Sequence, residues 1–273
     1  MTLTETPTET PTDSAFADEW RSWHAQHEAA RADGHGFLAI TGLTWLTGEP
    51  QRVAGVPGEW WTGPGGPVVR LADGEELVAD GATVSGEHAF GEIPERGGVT
   101  AVVGDVVIEV ARRGGSDVVR PRDPANPVLA AYTGTPTYAP DPRWQVTGTY
   151  VPFDQPRPTT VGSVVEGLEH VYDAPGRIEF TLDGQQLALT AFEGLTSDSF
   201  MVLFTDETSG VTTYAANRSL KVGAPAADGT VTVDFNRATN LPCAYTVFAT
   251  CPLPPAENRL PLAVEAGEKK PAA

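Results

Sequence analysis

Cysteine and positively charged residues are scarce in this sequence of 273 residues. Its two cysteines, Cys243 and Cys251, cannot supply the disulfide framework that stabilises small secreted domains. The 18 lysines and arginines are outnumbered by 36 aspartates and glutamates, which gives a net charge of −18. Such a charge repels nucleic-acid phosphates and anionic lipids, so we expect neither a nucleic acid nor a membrane as a partner.

Long hydrophobic runs are also missing. No stretch approaches the roughly 18 consecutive apolar residues that a membrane helix needs. The N-terminal residues 1–14 lack the basic and apolar regions of a secretory signal, and they repeat threonine, glutamate and proline. We therefore expect a disordered acidic tail at residues 1–14, a single β-rich domain at residues 15–273 and a cytoplasmic location with reduced cysteines.

Glycine and proline are abundant, at 29 and 24 residues, and they favour a fold of strands and tight turns. Asp-Gly or Gly-Asp pairs flanked by alternating apolar residues predict hairpins. These pairs lie at 73–74, 80–81, 104–105 and 183–184. The clearest predicted hairpin joins residues 177–182 to residues 185–191. Residues 120–143, which are rich in proline, are interpreted as a loop that crosses the sheet.

One helix is predicted, starting near Ser14 and stopped by Gly34. One face of this helix follows the i, i+4, i+7 spacing and comprises Phe16, Trp20, Trp23, His27 and Ala30. His24 and His27 are three residues apart, but without a third ligand they do not indicate a metal site. The pattern predicts a mainly β fold, either an antiparallel β-sandwich or a partly closed β-barrel, with the N-terminal helix packed on it.

Both cysteines fall in a predicted C-terminal hairpin formed by residues 231–236 and 241–251. In that hairpin Asp234 lies opposite Cys243, where its negative charge would raise the pKa of the thiol, so a catalytic cysteine is not favoured. An extended strand would separate Cys243 from Cys251 by roughly 26 Å. Because a disulfide needs Cα atoms within about 7 Å, we expect neither a bridge nor a shared metal.

Polar side chains cluster at the strand ends of the C-terminal meander. Arginine offers a planar fork for carboxylate or phosphate, and asparagine both donates and accepts hydrogen bonds. We interpret Asp234, as a candidate general base, and Arg237 as candidate catalytic residues. The candidate ligand-binding residues are Asp206, Tyr214, Arg218, Asn236 and Asn240. The alternative is that these residues only complete turns and form structural ion pairs. The lone His170 is interpreted as structural.

The C-terminal stretch DFNRATNLPCAYTVFATCPLPPAENRL at 234–260, followed by AGEK at 266–269, resembles the signature of a bacterial family of unknown function, DUF1684. Three earlier segments agree with this resemblance: Trp20-Arg21 on the predicted helix, GFLAITGLTWLTGEP at 36–50 and FTDETSGVTTYAANRSL at 204–220. The resemblance therefore spans about residues 16–270. It implies a family but no reaction, so it assigns no catalytic roles.

The signature adds Cys243 and Asn258 to the candidate binding residues, because both are positions that match it. The sequence also departs from the family pattern in three places. Thr239 and Leu241 stand where tyrosine and proline are expected, and Ser219 stands where an aromatic residue is common. These changes are expected to alter the shape of a pocket rather than membership of the family.

Three functions follow as hypotheses from the sequence. The leading one is a cytoplasmic small-molecule enzyme of hydrolase type that uses the polar pocket. The alternatives are a non-catalytic binding module for a small polar or anionic ligand, and a structural domain with no pocket. A deep cavity holding a carboxylate of shifted pKa would favour the enzyme, and a filled sheet interior would favour the structural domain. The sequence predicts no cofactor and no particular oligomeric state.

Overall fold

The predicted N-terminal helix is present and begins earlier than expected. The computed structural model describes residues 11–194, 196 and 199–272, and helix α1 spans Pro11–Arg31. Residues 1–10 of the predicted tail lie outside this range, and residues 11–14 belong to the helix. The helix ends before Gly34, as predicted. Within the described residues, no helix is both long and apolar enough to cross a membrane.

One face of α1 packs against the rest of the chain. Trp20 is buried, and its indole N–H donates a hydrogen bond to the backbone oxygen of Asn236, 2.8 Å away. The buried face of α1 differs from the prediction at its C-terminal end, where Ala30 is exposed and Arg31 is buried. The last turn of the helix therefore contacts the rest of the chain through an arginine side chain, whose apolar stem can be buried together with its charged group.

The first half of the chain forms two antiparallel sheets. One has the order β1-β10-β9-β8-β5-β6 and the other the order β2-β3-β4-β7. The strands are β1 (Thr44–Trp45), β2 (Gln51–Arg52), β3 (Glu59–Gly63), β4 (Gly66–Arg70), β5 (Leu77–Ala79), β6 (Ala82–Val84), β7 (Glu87–Ala89), β8 (Gly98–Val103), β9 (Val106–Arg113) and β10 (Ser116–Arg122).

Two of the hairpin signals in this half are confirmed. The pair at 80–81 joins β5 to β6, and the pair at 104–105 joins β8 to β9. Asp80 and Gly81 both have positive φ, 50° and 76°, as a type I′ turn requires. The pair at 73–74 instead lies between β4 and β5, which belong to different sheets.

The second half forms a six-stranded antiparallel sheet of order β15-β14-β13-β12-β11-β16, which is a nearly closed barrel. Its strands are β11 (Gln145–Gly162), β12 (Glu169–Leu182), β13 (Gln185–Glu193), β14 (Ser199–Phe204), β15 (Arg218–Gly223) and β16 (Thr230–Asp234). The hairpin signal at 183–184 is confirmed as the β12–β13 turn. The prediction of a mainly β fold with an N-terminal helix is therefore confirmed.

Each half of the chain surrounds a hydrophobic core of its own. The N-terminal sheets bury residues such as Trp60, Ile108 and Val119. The C-terminal barrel buries another set that includes Phe204 and Phe235. The faces of the strands that do not enter a core are therefore available to line the space between the halves.

Two predictions about irregular segments are wrong. The passage 120–143 is not one loop, because Arg120–Arg122 completes β10 and a short helix, α2, spans Pro127–Ala131. The C-terminal hairpin does not form either: β16 pairs with β11, which places Asp234 opposite Gln145. Residues 241–251 instead contain a 3-10 turn at Pro242–Ala244. Proline lacks the backbone N–H that a paired strand would need, which explains this turn.

Candidate functional site

The two candidate catalytic residues lie together at the end of β16. Arg237 Nε is 3.3 Å from the Asp234 carboxylate, and its terminal nitrogen is 2.6 Å from Glu19 on helix α1. Asp234 also accepts hydrogen bonds from the backbone N–H of Asn236, at 3.0 Å, and from the side chain of Gln145, at 3.2 Å. The carboxylate therefore caps the turn that follows β16. Its action as a general base stays a prediction.

Asp206 and Arg218 form an ion pair inside the C-terminal barrel. Their side chains are 0% and 1% exposed, and the closest nitrogen and oxygen are 2.7 Å apart. Arg218 also donates to the backbone oxygens of Val264, at 3.0 Å, and of Ala266. Asp206 accepts from the backbone N–H of Thr208 at 2.7 Å. This geometry fits the structural alternative, because the pair ties the C-terminal segment to the barrel.

The candidate asparagines are buried and bond to backbone groups. Asn236 both donates to and accepts from the backbone of Asp141, at 3.0 and 2.9 Å. Asn258 does the same with the backbone of Thr190, at 2.9 and 2.7 Å. Asn240 donates from its side chain to a carbonyl of the C-terminal segment 2.8 Å away. These amides act as cross-links between segments that are distant in the sequence.

Two of the three departures from the family pattern are neighbours in the fold. Ser219 and Thr239 form an isolated backbone bridge, and their hydroxyl oxygens are 3.3 Å apart. Both line a cavity of about 360 Å³ together with Arg237 and Trp23. The small side chains at these two positions therefore leave space beside Arg237.

A buried charge cluster that the sequence did not reveal joins helix α1 to the C-terminus. The Glu268 carboxylate accepts from Arg31 at 2.6 Å and from the backbone N–H of Asn240 at 2.6 Å. Both side chains of the ion pair are 2% exposed. Burial alone would raise the pKa of Glu268, but the hydrogen bond from His27 and the charge of Arg31 lower it overall. His27 thus contacts a carboxylate, and no metal-binding group of three ligands occurs among the residues described.

Glu268 should make stability depend on pH. Because its pKa in the folded protein lies below the ordinary value of 4.5, the unfolded chain takes up protons first as the pH falls. Its contribution is therefore present above about pH 4.5 and is lost as the pH falls through the folded pKa. We expect the free energy of urea unfolding to fall between about pH 5 and pH 3. Glu268→Gln should flatten this fall.

The matched control is Glu265→Gln, which changes an exposed carboxylate three residues earlier. This variant should keep the wild-type slope of unfolding free energy against pH. Equal slopes in all three proteins would contradict the assignment of the acid sensitivity to Glu268. Residual dependence in Glu268→Gln is expected from other carboxylates whose pKa is lowered, such as Glu109.

Tyr214 and the two cysteines lie close together, contrary to the prediction of a separated pair. Tyr214 donates its hydroxyl to the backbone oxygen of Cys243 at 2.7 Å, and burial raises the pKa of this tyrosine to about 12. The backbone N–H of Cys243 donates to Cys251 Sγ at 3.3 Å. The predicted separation is wrong because the chain folds back after Pro242 instead of extending as a strand.

A cavity of about 650 Å³ lies between the N-terminal sheet and the C-terminal half. We call it the arginine cavity, because four arginines and three glutamates line it: Arg96, Arg113, Arg120, Arg122, Glu95, Glu109 and Glu193. Strand alternation explains its position. Ile108 and Val110 of β9 enter the core, so Glu109 between them points away from it, and Arg120 is its partner on β10.

Three guanidinium groups share the Glu109 carboxylate. Arg120 is 2.6 Å from it, Arg122 is 2.5 Å from it and Arg113 is 3.1 Å from it. Burial would raise the pKa of Glu109, but the charge of Arg120 leads the effects that lower it. Burial, followed by repulsion from Arg120, lowers the pKa of Arg113. Positive charge is therefore in local excess around Glu109 in a protein of net charge −18.

Several polar groups that line the cavity lack an ion-pair or hydrogen-bond partner among the described residues, and so could contact a ligand. Arg96 lies over the ring of Tyr172, 4.4 Å from its centroid, and forms no ion pair with a described residue. The ring of His170 bonds through Nε2 to the backbone oxygen of Thr250 at 2.8 Å, and burial lowers its pKa. Within the part of the chain that the structure describes, His170 Nδ1 and Arg120 Nε are buried without a hydrogen-bond partner.

The sequence did carry a signal for this cavity. Charged residues interrupt two apolar strand patterns at alternate positions, at Glu109 in β9 and at Arg120 and Arg122 in β10. Pro121 obscured that signal, because proline within a strand normally indicates an edge or a loop. For this reason the sequence predicts a loop at 120–143.

The comparisons with known proteins identify the family. Residues 130–269 match the model of the family described as "Protein of unknown function (DUF1684)". The chain is also similar to a solved structure, the solution NMR structure of the uncharacterized protein from gene locus rrnAC0354 of Haloarcula marismortui. The two sequences are 30% identical, and the TM-score is 0.43. The match covers 51% of this chain and 78% of that one. No curated protein matches the chain. Because the family match covers just over half of the 273 residues, the chain belongs to the DUF1684 family.

Proposed function

We propose that the protein binds a small anionic molecule, with a carboxylate or phosphate group, in the arginine cavity. The observation that supports this most directly is the sharing of one carboxylate, Glu109, by three arginines. A single carboxylate balances only one of these charges. A guanidinium that is partly removed from water gains most from a second anion, which it can bind through two parallel N–H groups.

The overall negative charge does not oppose this proposal. At about 0.1 M salt, charges on the exposed surface are screened beyond about 10 Å, whereas groups inside a cavity interact strongly because less water separates them. The other two glutamates of the cavity neutralise its arginines less than Glu109 does. Glu95 is engaged by the backbone N–H groups of Gly114 and Gly115, at 2.7 and 2.9 Å, and Glu193 is exposed.

The size and the remaining polar atoms narrow the ligand class. A volume of about 650 Å³ falls within the usual range for small-molecule sites. Because His170 bonds a carbonyl through Nε2, that nitrogen carries the proton and Nδ1 is an acceptor. The matching ligand is therefore an anion that also carries a hydroxyl or another hydrogen-bond donor.

The hydrolase hypothesis takes second place. The Asp234 carboxylate that it requires is already engaged by Asn236, Gln145 and Arg237. A binding module for a small anion, the alternative suggested by the sequence, agrees better with the arginine cavity. We also propose a cytoplasmic location, on the basis of the low cysteine content, and no nucleic-acid or membrane partner, on the basis of the acidic composition.

Arg96→Ala should weaken the binding of inorganic phosphate and of citrate, measured by isothermal titration calorimetry at low salt. Arg96 contributes a guanidinium that contacts Tyr172 but pairs with no carboxylate in the described chain, so it can bind an anion without first losing an ion pair. A hydrogen bond to a charged group contributes about 1.5–3 kcal/mol. Because 1.4 kcal/mol corresponds to a factor of ten, we expect a loss of affinity of about 10- to 100-fold for the better of the two probes.

Arg70→Ala is the matched control. Arg70 also lies over an aromatic ring, 4.9 Å from the centroid of Trp61, but it is exposed and outside the cavity. This control should bind both probes as the wild type does. Equal losses in the two variants would indicate a general effect of charge. The absence of saturable binding of either probe to the wild type would overturn the proposal.

A further inference from the structure

Cys243 and Cys251 form a close thiol pair that the proposed anion binding does not use. Both are free, and the backbone N–H of Cys243 is 3.3 Å from Cys251 Sγ. This contact places the Cys251 side chain directly against the main chain of Cys243. The geometry therefore lies within reach of a disulfide, which needs Cα atoms closer than about 7 Å.

Contacts outside the segment hold the two cysteines in place. Tyr214 bonds to the backbone oxygen of Cys243, and Ser163 bonds to the backbone oxygen of Cys251 at 3.1 Å. Between them the chain makes a reversal whose tip, Val247, is 86% exposed. The proximity of the sulfurs is thus imposed by the fold on both sides of the reversal, and it does not depend on a disulfide.

We propose that Cys243 and Cys251 are a reversible oxidation site, at which hydrogen peroxide or a related hydroperoxide converts the two thiols into an intramolecular disulfide. Cys243 is the thiol that reacts with the peroxide, and Cys251 is the thiol that resolves the product. Cys251 also lines the arginine cavity, but no step of the oxidation needs a bound anion, so the failure of anion binding would leave this proposal intact.

The two thiols differ in exposure and in pKa, and both differences favour Cys243 as the thiol that reacts first. Cys243 is half-buried, whereas Cys251 is only 7% exposed. The hydrogen bond with the Cys251 thiol lowers the pKa of Cys243, against the opposing effect of burial. That same hydrogen bond, together with burial, raises the pKa of Cys251. The thiolate is the nucleophile, so the more accessible and more acidic Cys243 reacts first.

The chemistry balances in two steps. The Cys243 thiolate attacks one oxygen of hydrogen peroxide, the O–O bond breaks, and the departing hydroxide takes up the thiol proton as water. Cys243 is then a sulfenic acid. The Cys251 sulfur attacks the Cys243 sulfur, the S–O bond breaks, and the hydroxyl leaves as a second water with the Cys251 proton. Two thiols and one peroxide give one disulfide and two waters.

The test uses the full chain, reduced and then freed of reductant. After treatment with hydrogen peroxide, intact mass spectrometry should show the loss of two hydrogens, and a thiol titration should show the loss of both free thiols. Peptide mapping should join Cys243 to Cys251. Dithiothreitol should restore the original mass and both thiols, because it reduces an intramolecular disulfide.

Two variants assign the roles of the sulfurs. Cys251→Ser should retain a sulfenic acid at Cys243 that reacts with dimedone, because the resolving thiol is missing. Cys243→Ser is the matched control and should give little dimedone adduct. Retention of both thiols in the wild type, or disulfides formed only between molecules, would overturn the proposal. Equal labelling of the two variants would overturn the assigned order of reaction.

Discussion

Replacing Glu109 with glutamine should strengthen the binding of inorganic phosphate to the arginine cavity. It should also lower the free energy of unfolding of the protein without bound anion. In the wild type, the carboxylate occupies N–H groups of Arg113, Arg120 and Arg122. Glutamine keeps the size of the side chain and one acceptor oxygen but removes the competing charge. We expect affinity for phosphate to rise by about tenfold, which corresponds to about 1.4 kcal/mol.

The cost in stability has the same origin. Glu109→Gln leaves the guanidinium of Arg120, a residue that is 7% exposed, without its counter-ion. Removing one partner of a buried ion pair typically destabilises a protein by about 3–5 kcal/mol. The amide oxygen can still accept one hydrogen bond and Arg122 is partly exposed, so we expect a loss of about 3 kcal/mol, measured by urea unfolding without phosphate.

Added phosphate should then restore stability more in the variant than in the wild type, because a ligand that binds only the folded state raises the free energy of unfolding. Glu87→Gln is the control. Glu87 pairs with Arg70 on the surface, where both side chains are more than half exposed, so neither stability nor phosphate binding should change appreciably. Weaker phosphate binding by Glu109→Gln would contradict the proposed role of the cavity.

The parts of the fold that the sequence predicts correctly are local. The turn at 183–184 joins two strands that are adjacent in the sequence, and its residues themselves favour the required backbone. The predicted C-terminal hairpin is wrong because the actual partner of β16 is β11, whose paired residues are about 80 to 90 positions away. Local alternation predicts a strand at 231–236, and the structure has one at Thr230–Asp234, but the alternation does not show which strand it joins.

The same limit applies to the candidate site. Asp206 and Asn258 are both buried, and their partners are an arginine and backbone groups that only the fold brings near. The buried Glu268 gives no local signal, since it lies in a short C-terminal segment without a regular pattern. The arginine cavity could have been detected by treating Glu109 and Arg120 as opposite positions of neighbouring strands.

Replacing Arg218 with methionine should cause the largest loss of stability, about 3–5 kcal/mol in the free energy of urea unfolding. Methionine replaces the apolar stem of the arginine side chain but leaves the Asp206 carboxylate without its ion-pair partner at 0% exposure. The backbone oxygens of Val264 and Ala266 also lose their donor. Buried polar groups without partners cost about 1–3 kcal/mol each, so the loss exceeds that of a surface pair.

A double variant separates the charge from the packing. Arg218→Met combined with Asp206→Leu removes both charges, so it should be less destabilised than Arg218→Met alone, because an uncompensated buried charge no longer remains. The surface control is Arg177→Met, since Arg177 lies 2.6 Å from Glu179 but both side chains are more than 40% exposed. This control should lose no more than about 1 kcal/mol. A similar small loss for Arg218→Met would show that the Asp206–Arg218 pair is not what holds the C-terminal segment in the barrel.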